Sequence, residues 1–176
     1  MACDLTLGRK EVCKDSVGGL KAVYFVNWGD ATGYTYDGTD TDVIDAVAGT
    51  PTAFKYELKA DASTFTQNIT SDRNNGTTFF EQVLEITIKK LTAKMHKELK
   101  LMAYGRPQVI VEDNNGALFY AGLTRGMDVT GGTIVTGGAL GDLSGYTITL
   151  TGQEPTPANL LGVSLTTAGF TVTEGS

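Results

Sequence analysis

The sequence predicts a mainly β, single-domain protein with eight to ten strands and one helix. The first indication is composition, because 26 threonines and 22 glycines contrast with one tryptophan and one histidine, and threonine suits the solvated face of a strand. The second is the alternation of apolar and polar residues in several segments, which has the period of a strand. The third is a repeated Asn-Asn-Gly stretch, at 74–76 and 114–116, since these residues tolerate the positive φ of tight hairpin turns.

Length, charge and cysteine content limit the classes of protein to which this chain can belong. A chain of 176 residues without a long linker fits one domain. The net charge of −6 argues against a nucleic-acid reader that binds through phosphates. No segment reaches the length of a membrane span, and residues 1–16 lack the apolar run of a secretory signal. Cys3 and Cys13 match no zinc or redox spacing, so we expect free thiols in a reducing cytosol, with a disulfide as the alternative.

The first 50 residues predict an arm, a buried strand and a loop. Residues 1–19 show no clear period and are expected to form the arm. Residues 20–28, LKAVYFVNW, are apolar and rich in valine and aromatic residues, which predicts a buried strand. The turn-rich segment that follows is predicted to be a solvated loop. Its acidic residues, Asp37, Asp40, Asp42 and Asp45, do not have the spacing of a calcium-binding loop.

The middle of the chain predicts two hairpins. Residues 53–60, AFKYELKA, alternate as a strand, and residues 63–69, STFTQNI, continue that style before the first Asn-Asn-Gly turn. Residues 77–91 then form a candidate strand far longer than the usual five or six residues. One of its faces carries Phe80, Leu84, Ile86 and Ile88, and the other carries Phe79, Glu81, Val83, Glu85, Thr87 and Lys89. The second hairpin joins QVIVED to ALFYAGL.

One helix is predicted over residues 92–103, a segment full of good helix formers. Thr92 is a candidate N-cap, and Gly105 is placed to end the helix. The apolar stripe consists of Met95, Leu99 and Met102.

The C-terminal third is rich in glycine, with nine of them between residues 122 and 152. The glycines predict a turn, a bulge or a mobile loop before the strand YTITLTG. The segment EPTPANLL is expected to be extended, and the last residues are predicted to be an edge strand or a loose tail.

No motif points to catalysis, so we expect no enzyme and no cofactor or metal. His96 lies in a lysine-rich helical segment and is predicted to be solvated or packed. The glycine doublets at 131–132 and 137–138 lack the residues of a phosphate-binding loop. Glu81 and Glu85 share a strand face but lie about 13 Å apart, which is too far for a glycosidase pair.

Several stretches between residues 64 and 157 together resemble a known family. They are the long hairpin, the helical segment KLTAKMHKELKLMAYG, the hairpin VIVEDNNGALFYAG, the loop TGGALGDLSGY and the strand YTITLTGQEPTPA. In this order they are similar to the tail tube proteins of tailed bacteriophages, notably those of phages with Bacteroidetes hosts. The likeness runs from about Thr64 to Pro157, and residues 1–50 carry little of it.

The resemblance implies a β-sandwich or barrel with one flanking helix, organised as an arm (1–19), a tail-tube-like β domain (20–157) and a C-terminal edge strand or tail (158–176). It also implies a virion structural protein that assembles in the host bacterial cytoplasm. Identical subunits would form a ring, typically a hexamer, and bind other virion proteins. Stacked rings would line a channel through which DNA passes without specific binding, and an acidic surface suits that passage. No membrane partner is implied.

On this hypothesis the first hairpin pairs edge to edge with neighbouring copies, and the alternative is that it folds onto its own core. The candidate intersubunit residues are Asn74, Asn75, Gly76, Phe79, Glu81, Val83 and Glu85. Two other functions stay open at this point. One is a capsid decoration or head–tail connector protein. The other is a carbohydrate-binding β-sandwich, for which Trp28, Tyr34 and Tyr36 are the candidate aromatic residues.

Overall fold

The computed structural model describes residues 4–58 and 62–175. Within these ranges the chain forms twelve strands and two helices. In chain order they are β1 (Leu20–Val26), β2 (Ala31–Tyr36), β3 (Val43–Gly49), β4 (Thr52–Glu57), β5 (Thr64–Asp72), β6 (Thr77–Lys89), α1 (Ala93–Tyr104), β7 (Gln108–Asp113), β8 (Leu118–Ala121), β9 (Asp128–Val135), β10 (Gly145–Glu154), β11 (Asn159–Leu161), α2 (Leu165–Ala168) and β12 (Thr171–Glu174). Two packed sheets with a flanking helix confirm the predicted mainly β, sandwich-like class.

The larger sheet has eight strands in the order β12-β4-β1-β7-β8-β11-β3-β2. In a flat sheet β3 and β4 would lie five strand spacings apart, or about 24 Å. Only residues 50 and 51 join these two strands, and three Cα steps span at most about 11 Å. The sheet therefore curls until its two ends approach each other.

The curled sheet encloses one of two apolar clusters. Its buried members are Ala22, Tyr24, Val26, Ile44, Val47, Ala53, Ile110, Tyr120, Leu161, Leu165, Ala168 and Phe170. The short helix α2 contributes to this cluster and contacts both β3 and β12. Immediately after α2, Gly169 has φ +108°, and a Cβ there would lie 2.9 Å from the Val47 carbonyl oxygen. Glycine thus lets the chain pass close to β3 and close the gap between the sheet ends.

The smaller sheet has four strands in the order β5-β6-β10-β9 and packs on the outside of the curl. The second apolar cluster fills the space between the two sheets. Its buried members are Leu20, Val23, Phe25, Leu58, Leu84, Ile86, Met102, Val109, Val111, Ala121, Met127, Tyr146, Ile148 and Leu150. Strands β1 and β7 supply residues to both clusters, and this explains why β1 is apolar on both faces.

Helix α1 covers one side of the second cluster, as predicted. The Thr92 side chain accepts a hydrogen bond from the Met95 N–H at 3.2 Å, which satisfies a free donor of the first turn. Met102 is buried, and Met95 and Leu99 pack against the cluster. Gly105 follows the helix, and its N–H donates to the Leu101 carbonyl at 2.9 Å.

Parts of the fold differ from the expectations. The segment after β1 contains strand β2, and β1 ends before Trp28, which is 41% exposed. Strand β9 was not predicted, and glycines 131 and 132 lie inside it beside a bulge against β10, which is one of the structures that the glycines predicted. At Gly132 a Cβ would lie 2.5 Å from the Thr147 carbonyl oxygen, so the glycine permits the close approach of the two strands.

The end of the chain is more ordered than a loose tail. It forms β11, then α2 and then the edge strand β12, so the described residues contain a second helix. The reason is burial, because Leu165, Ala168 and Phe170 complete the cluster inside the curled sheet. The strand predicted over residues 53–60 is observed as β4, and residues 59 and 60 lie outside the described residues, as does Cys3.

Candidate functional site

The histidine that sequence analysis weighed for catalysis contacts an aromatic residue of a neighbouring strand. His96 lies on the exposed side of α1, with its Nδ1 2.5 Å from the Tyr146 hydroxyl and its ring edge-on to the tyrosine ring. This contact fastens α1 to β10. Within residues 4–58 and 62–175, no three His, Cys, Asp or Glu side chains are grouped so that they could hold a metal ion. In the same ranges no helix is long and apolar enough to cross a membrane.

The four-stranded sheet presents a polar outer face. Its inner residues pack on the core, and every second residue of β6 points away from it. The outer face consists of Phe79, Glu81, Val83, Glu85, Thr87 and Lys89 of β6, with Thr64, Thr66, Asn68 and Thr70 opposite them on β5 and Thr147, Thr149, Thr151 and Gln153 opposite them on β10. Hydroxyl groups therefore dominate this face, and pairs such as Thr130 and Thr151 hydrogen-bond across strands at 3.0 Å.

Two carboxylates stand in the middle of the outer face. Glu81 lies between Asn68 and Gln153, and Glu85 lies between two threonines. No lysine or arginine of the described residues forms a salt bridge with either glutamate. The central part of the face therefore carries negative charge that the fold does not neutralise.

The hairpin of β5 and β6 extends beyond the rest of the sheet. Strand β10 pairs with β6 only from Lys89 to Phe80, so residues 70–79, which we call the hairpin tip, form a ribbon of two strands. Ile69, at the base of the tip, has the same orientation as buried Leu84 but is 69% exposed. A two-stranded ribbon is marginally stable in water by itself. The hairpin tip therefore lacks the packing that the remainder of β5 and β6 receives.

The turn of the hairpin tip is organised by Asp72, which the sequence analysis did not single out. Its carboxylate accepts a hydrogen bond from the Asn74 N–H at 2.8 Å and a second from the Asn75 side-chain amide. Gly76 has φ +65°, which glycine adopts without strain. Asn74, Asn75 and Gly76 are exposed and Asp72 is half-buried, and their side chains make no hydrogen bond to any part of the described chain outside the hairpin. The turn is thus rigid in itself and free on its outside.

The second Asn-Asn-Gly turn has a different role. The Asn115 side chain accepts a hydrogen bond from the Val17 N–H at 2.9 Å and donates one to the Val17 carbonyl at 2.8 Å. The Asn114 amide donates to the Gly18 carbonyl, also at 2.8 Å. The turn therefore acts as a clamp on the base of the N-terminal arm. The preceding Asp113 caps this turn as Asp72 caps the first.

The seven predicted intersubunit residues all lie on the first hairpin, which strands β5 and β6 form. Asn74, Asn75 and Gly76 occupy the turn, whereas Phe79, Glu81, Val83 and Glu85 share the outer face of β6. The structure brings the latter four together on one surface that faces away from the core. Sequence analysis did not include Ile69 and Asp72 among these candidates. The position of Asp72 two residues before Asn74 was the available signal, since aspartate commonly caps such turns.

The glycine-rich loop between β9 and β10, residues 136–144, lies at the opposite end of the sheet from the hairpin tip. The Asp142 carboxylate accepts hydrogen bonds from the Ala139 N–H at 2.7 Å and the Gly138 N–H at 3.0 Å. These bonds lower the pKa of Asp142, because they favour its charged form. Leu140, at the end of the loop, is completely exposed. A single carboxylate thus orders a loop that presents an apolar side chain to solvent.

Two further acidic side chains stabilise the body of the molecule. Glu112 accepts hydrogen bonds from Lys21 at 2.8 Å and from the Tyr24 hydroxyl at 2.9 Å. Burial and then the bond to Glu112 raise the pKa of Tyr24 to about 12. Glu154 is 3% exposed, and its carboxylate accepts from the N–H groups of Thr124 and Arg125. It holds the turn that leads into β9.

The aromatic residues considered for carbohydrate binding have other contacts. The Trp28 ring lies 4.1 Å from the Arg106 guanidinium. The Tyr34 ring packs edge-on against Tyr120, and its hydroxyl accepts a hydrogen bond from Gln108. Tyr34 thus belongs to the core of the curled sheet, which leaves no row of three open aromatic rings.

Comparison with protein-family models, with curated protein sequences and with solved structures returns no match. The feature that demands an explanation is the hairpin tip, together with the two open edges of its sheet.

Proposed function

We propose that this protein is a virion structural subunit that assembles with identical copies into a ring, and that stacked rings form the tail tube of a bacteriophage. The observation that supports this proposal is the hairpin tip. It is a two-stranded ribbon with an exposed isoleucine at its base, and such a ribbon gains stability when a neighbouring surface covers it. The resemblance of residues 64–157 to tail tube proteins supports the identity of that neighbour as another copy.

The edges of the four-stranded sheet supply the means of joining copies. Strand β5 has nine residues and β9 has eight, and each is an edge of the sheet. Open edges expose backbone donors and acceptors that pair readily with another strand. If β5 of one subunit pairs with β9 of the next, the sheet continues around a ring and every such edge is covered. The exposed side chains at these edges are mostly threonine and other small polar residues, which do not obstruct pairing.

The outer face of this sheet is suited to the inside of the ring. Its threonine hydroxyl groups present a hydrated surface, and Glu81 and Glu85 add negative charge at its centre. Like charge disfavours adhesion of the phosphate backbone. DNA would therefore pass along this face without being held.

Shortening the hairpin tests the proposal. Residues 71–78 are replaced by Asn-Gly, which joins the paired residues Thr70 and Phe79 through a two-residue turn. The core is untouched, so circular dichroism and the urea midpoint should stay close to those of the unchanged chain. The expected loss is in assembly, measured by sedimentation velocity over a range of concentrations and by negative-stain microscopy.

A matched control carries serine at Thr39 and Thr41, in the exposed loop between β2 and β3. It should form the same rings as the unchanged chain. Rings of the shortened chain, or a monomeric unchanged chain at every concentration, would contradict the proposal. Long tubes distinguish a tail tube subunit from a connector or capsid protein, which would stop at single rings or require a capsid.

A further inference from the structure

The two Asn-Asn-Gly turns contain the same chemically labile pair, but the fold surrounds the two pairs differently. Asparagine is thermolabile in proteins. When glycine follows it, the glycine nitrogen can attack the asparagine side-chain carbonyl carbon and close a succinimide ring, because no Cβ on the glycine hinders the approach. The pairs here are Asn75-Gly76 and Asn115-Gly116, and all four residues are exposed. A difference in their reactivity must therefore come from the contacts around each turn.

The second pair is restrained by the clamp on the N-terminal arm. The Asn115 side-chain oxygen accepts a hydrogen bond from the Val17 N–H at 2.9 Å. Its amide nitrogen donates to the Val17 carbonyl at 2.8 Å and to the Asp113 carboxylate at 3.3 Å. The Gly116 N–H, whose nitrogen would attack, donates to the Asp113 carbonyl at 3.2 Å. Ring closure at this turn therefore requires the loss of several hydrogen bonds, including those that hold the arm.

The first pair has fewer restraints. The Asn75 side chain makes one hydrogen bond, from its amide nitrogen to the Asp72 carboxylate, and within the described chain its oxygen accepts none. Among the same residues the Gly76 N–H donates to no acceptor. The Gly76 nitrogen is thus available for attack, and only the contact with Asp72 holds the Asn75 side chain.

We propose that Asn75 is a site of spontaneous deamidation and that the clamp protects Asn115 from the same reaction. The Gly76 nitrogen forms a bond to the Asn75 side-chain carbonyl carbon, and the bond from that carbon to the amide nitrogen breaks. The amide leaves as ammonia and carries away the proton of the Gly76 N–H. Water then opens the succinimide at either of its two carbonyl carbons, which leaves aspartate or isoaspartate at position 75. Water is the only co-reactant.

The product disturbs the turn in which it forms. The Asp72 carboxylate accepts a hydrogen bond from the Asn75 amide, and after the reaction it faces a second carboxylate in place of that donor. Two carboxylates at such a distance disfavour each other's charged form, and isoaspartate also lengthens the backbone by one carbon. The bond from the Asn74 N–H to Asp72, at 2.8 Å, should then weaken. The hairpin tip should open while the core, which it does not contact, stays folded.

Incubation of the folded chain in mildly alkaline buffer, below the concentration at which copies associate, tests the inference. Peptide mapping by mass spectrometry follows each turn, because lysines between the turns place them in different tryptic fragments. In guanidinium chloride the two pairs should react at the same rate, since their local sequences are the same. In the folded chain Asn115 should react at least about ten-fold more slowly than Asn75, the factor that about 1.4 kcal/mol of additional hydrogen bonding produces.

A proline variant tests the clamp directly. Val17→Pro removes the N–H that donates to the Asn115 side chain, so it should accelerate the reaction at Asn115 and leave the rate at Asn75 unchanged. The matched control is Val12→Pro, in the exposed arm before the clamp, which should change neither rate.

Three outcomes would overturn the inference. The first is an equal rate at the two turns of the folded chain. The second is a reaction at Asn75 that folding slows as much as the reaction at Asn115. The third is an unchanged rate at Asn115 in Val17→Pro, because the clamp would then not be the source of its protection. The isolated subunit contains both turns, so the rates can be measured whether or not the proposed ring forms.

Discussion

Replacing Ile69 with threonine should weaken assembly much more than folding. Full burial of an isoleucine side chain contributes about 1.5–3 kcal/mol, and Ile69 is 69% exposed in the subunit. Only about a third of that value, or roughly 0.5–1 kcal/mol, is therefore realised in the isolated fold. If a neighbouring copy in a ring covered the exposed part of the Ile69 side chain, each such contact would contribute about 1–2 kcal/mol. Threonine keeps the β-branched shape and the strand preference, so the change removes mainly apolar area.

Two measurements separate these effects. Urea unfolding, below the concentration at which the chain associates, should show a loss of stability of less than about 1 kcal/mol. Sedimentation velocity should show that association requires about 5- to 30-fold more protein for each contact, since about 1.4 kcal/mol is a factor of ten.

The matched control is Tyr104→Ser, which removes an aromatic side chain that is 80% exposed at the end of α1. It lies outside the four-stranded sheet and should leave association unchanged. Association of Ile69→Thr at the same concentration as the unchanged chain would contradict a contact between copies at Ile69. A loss of folding stability greater than that of a fully buried isoleucine would contradict its exposure in the subunit.

Three further outcomes follow from the polar contacts. Glu154→Ala removes the carboxylate that accepts hydrogen bonds from the N–H groups of Thr124 and Arg125. The free energy of unfolding, measured in urea, should fall by about 1–3 kcal/mol. An unchanged urea midpoint would contradict this, because it would show that water satisfies both N–H groups. The pKa of Asp142 is lowered in the fold, so its contribution to loop order is present above the unfolded pKa and is lost as pH falls through the folded one. The protection factors of the amides of residues 138 and 139, taken relative to the intrinsic exchange rate at each pH, should therefore fall as pH falls, and protection that does not change with pH would contradict this. The pKa of Tyr24 is raised to about 12, so the protonated hydroxyl stabilises the fold below pH 10, and this stabilisation is lost as pH rises towards 12. In an ultraviolet titration, Glu112→Gln should shift the ionisation of Tyr24 to lower pH. An identical titration curve would contradict the contact between Tyr24 and Glu112.

Local patterns in the sequence were sufficient to predict the elements with a clear period. The alternation in β6, the capped helix α1 and both Asn-Asn-Gly hairpins depend on neighbouring residues, and such signals act over short distances. The buried strand β1 was equally evident from its apolar run. The mainly β class follows from the sum of these elements.

Strand β9 and helix α2, which depend on tertiary packing, were missed. Glycines 131 and 132 weaken β9 locally, but pairing with β10 compensates. Helix α2 has four residues and exists because its apolar side chains fill the curled sheet. The same limit applies to the candidate site. The sequence indicated which hairpin to consider, but the exposure of Ile69 depends on where β10 stops pairing with β6, and this is a property of the assembled sheet.

Strands β1 and β7 form a wall shared by the two apolar clusters, and the wall has a thermodynamic consequence. If β1 and β7 unfold, both apolar clusters lose the strands that form one of their sides. We therefore expect the two clusters to unfold together. Thermal unfolding of the isolated subunit should therefore be a single calorimetric transition whose van't Hoff and calorimetric enthalpies agree. A molecule with two apolar clusters should thus unfold as one cooperative unit.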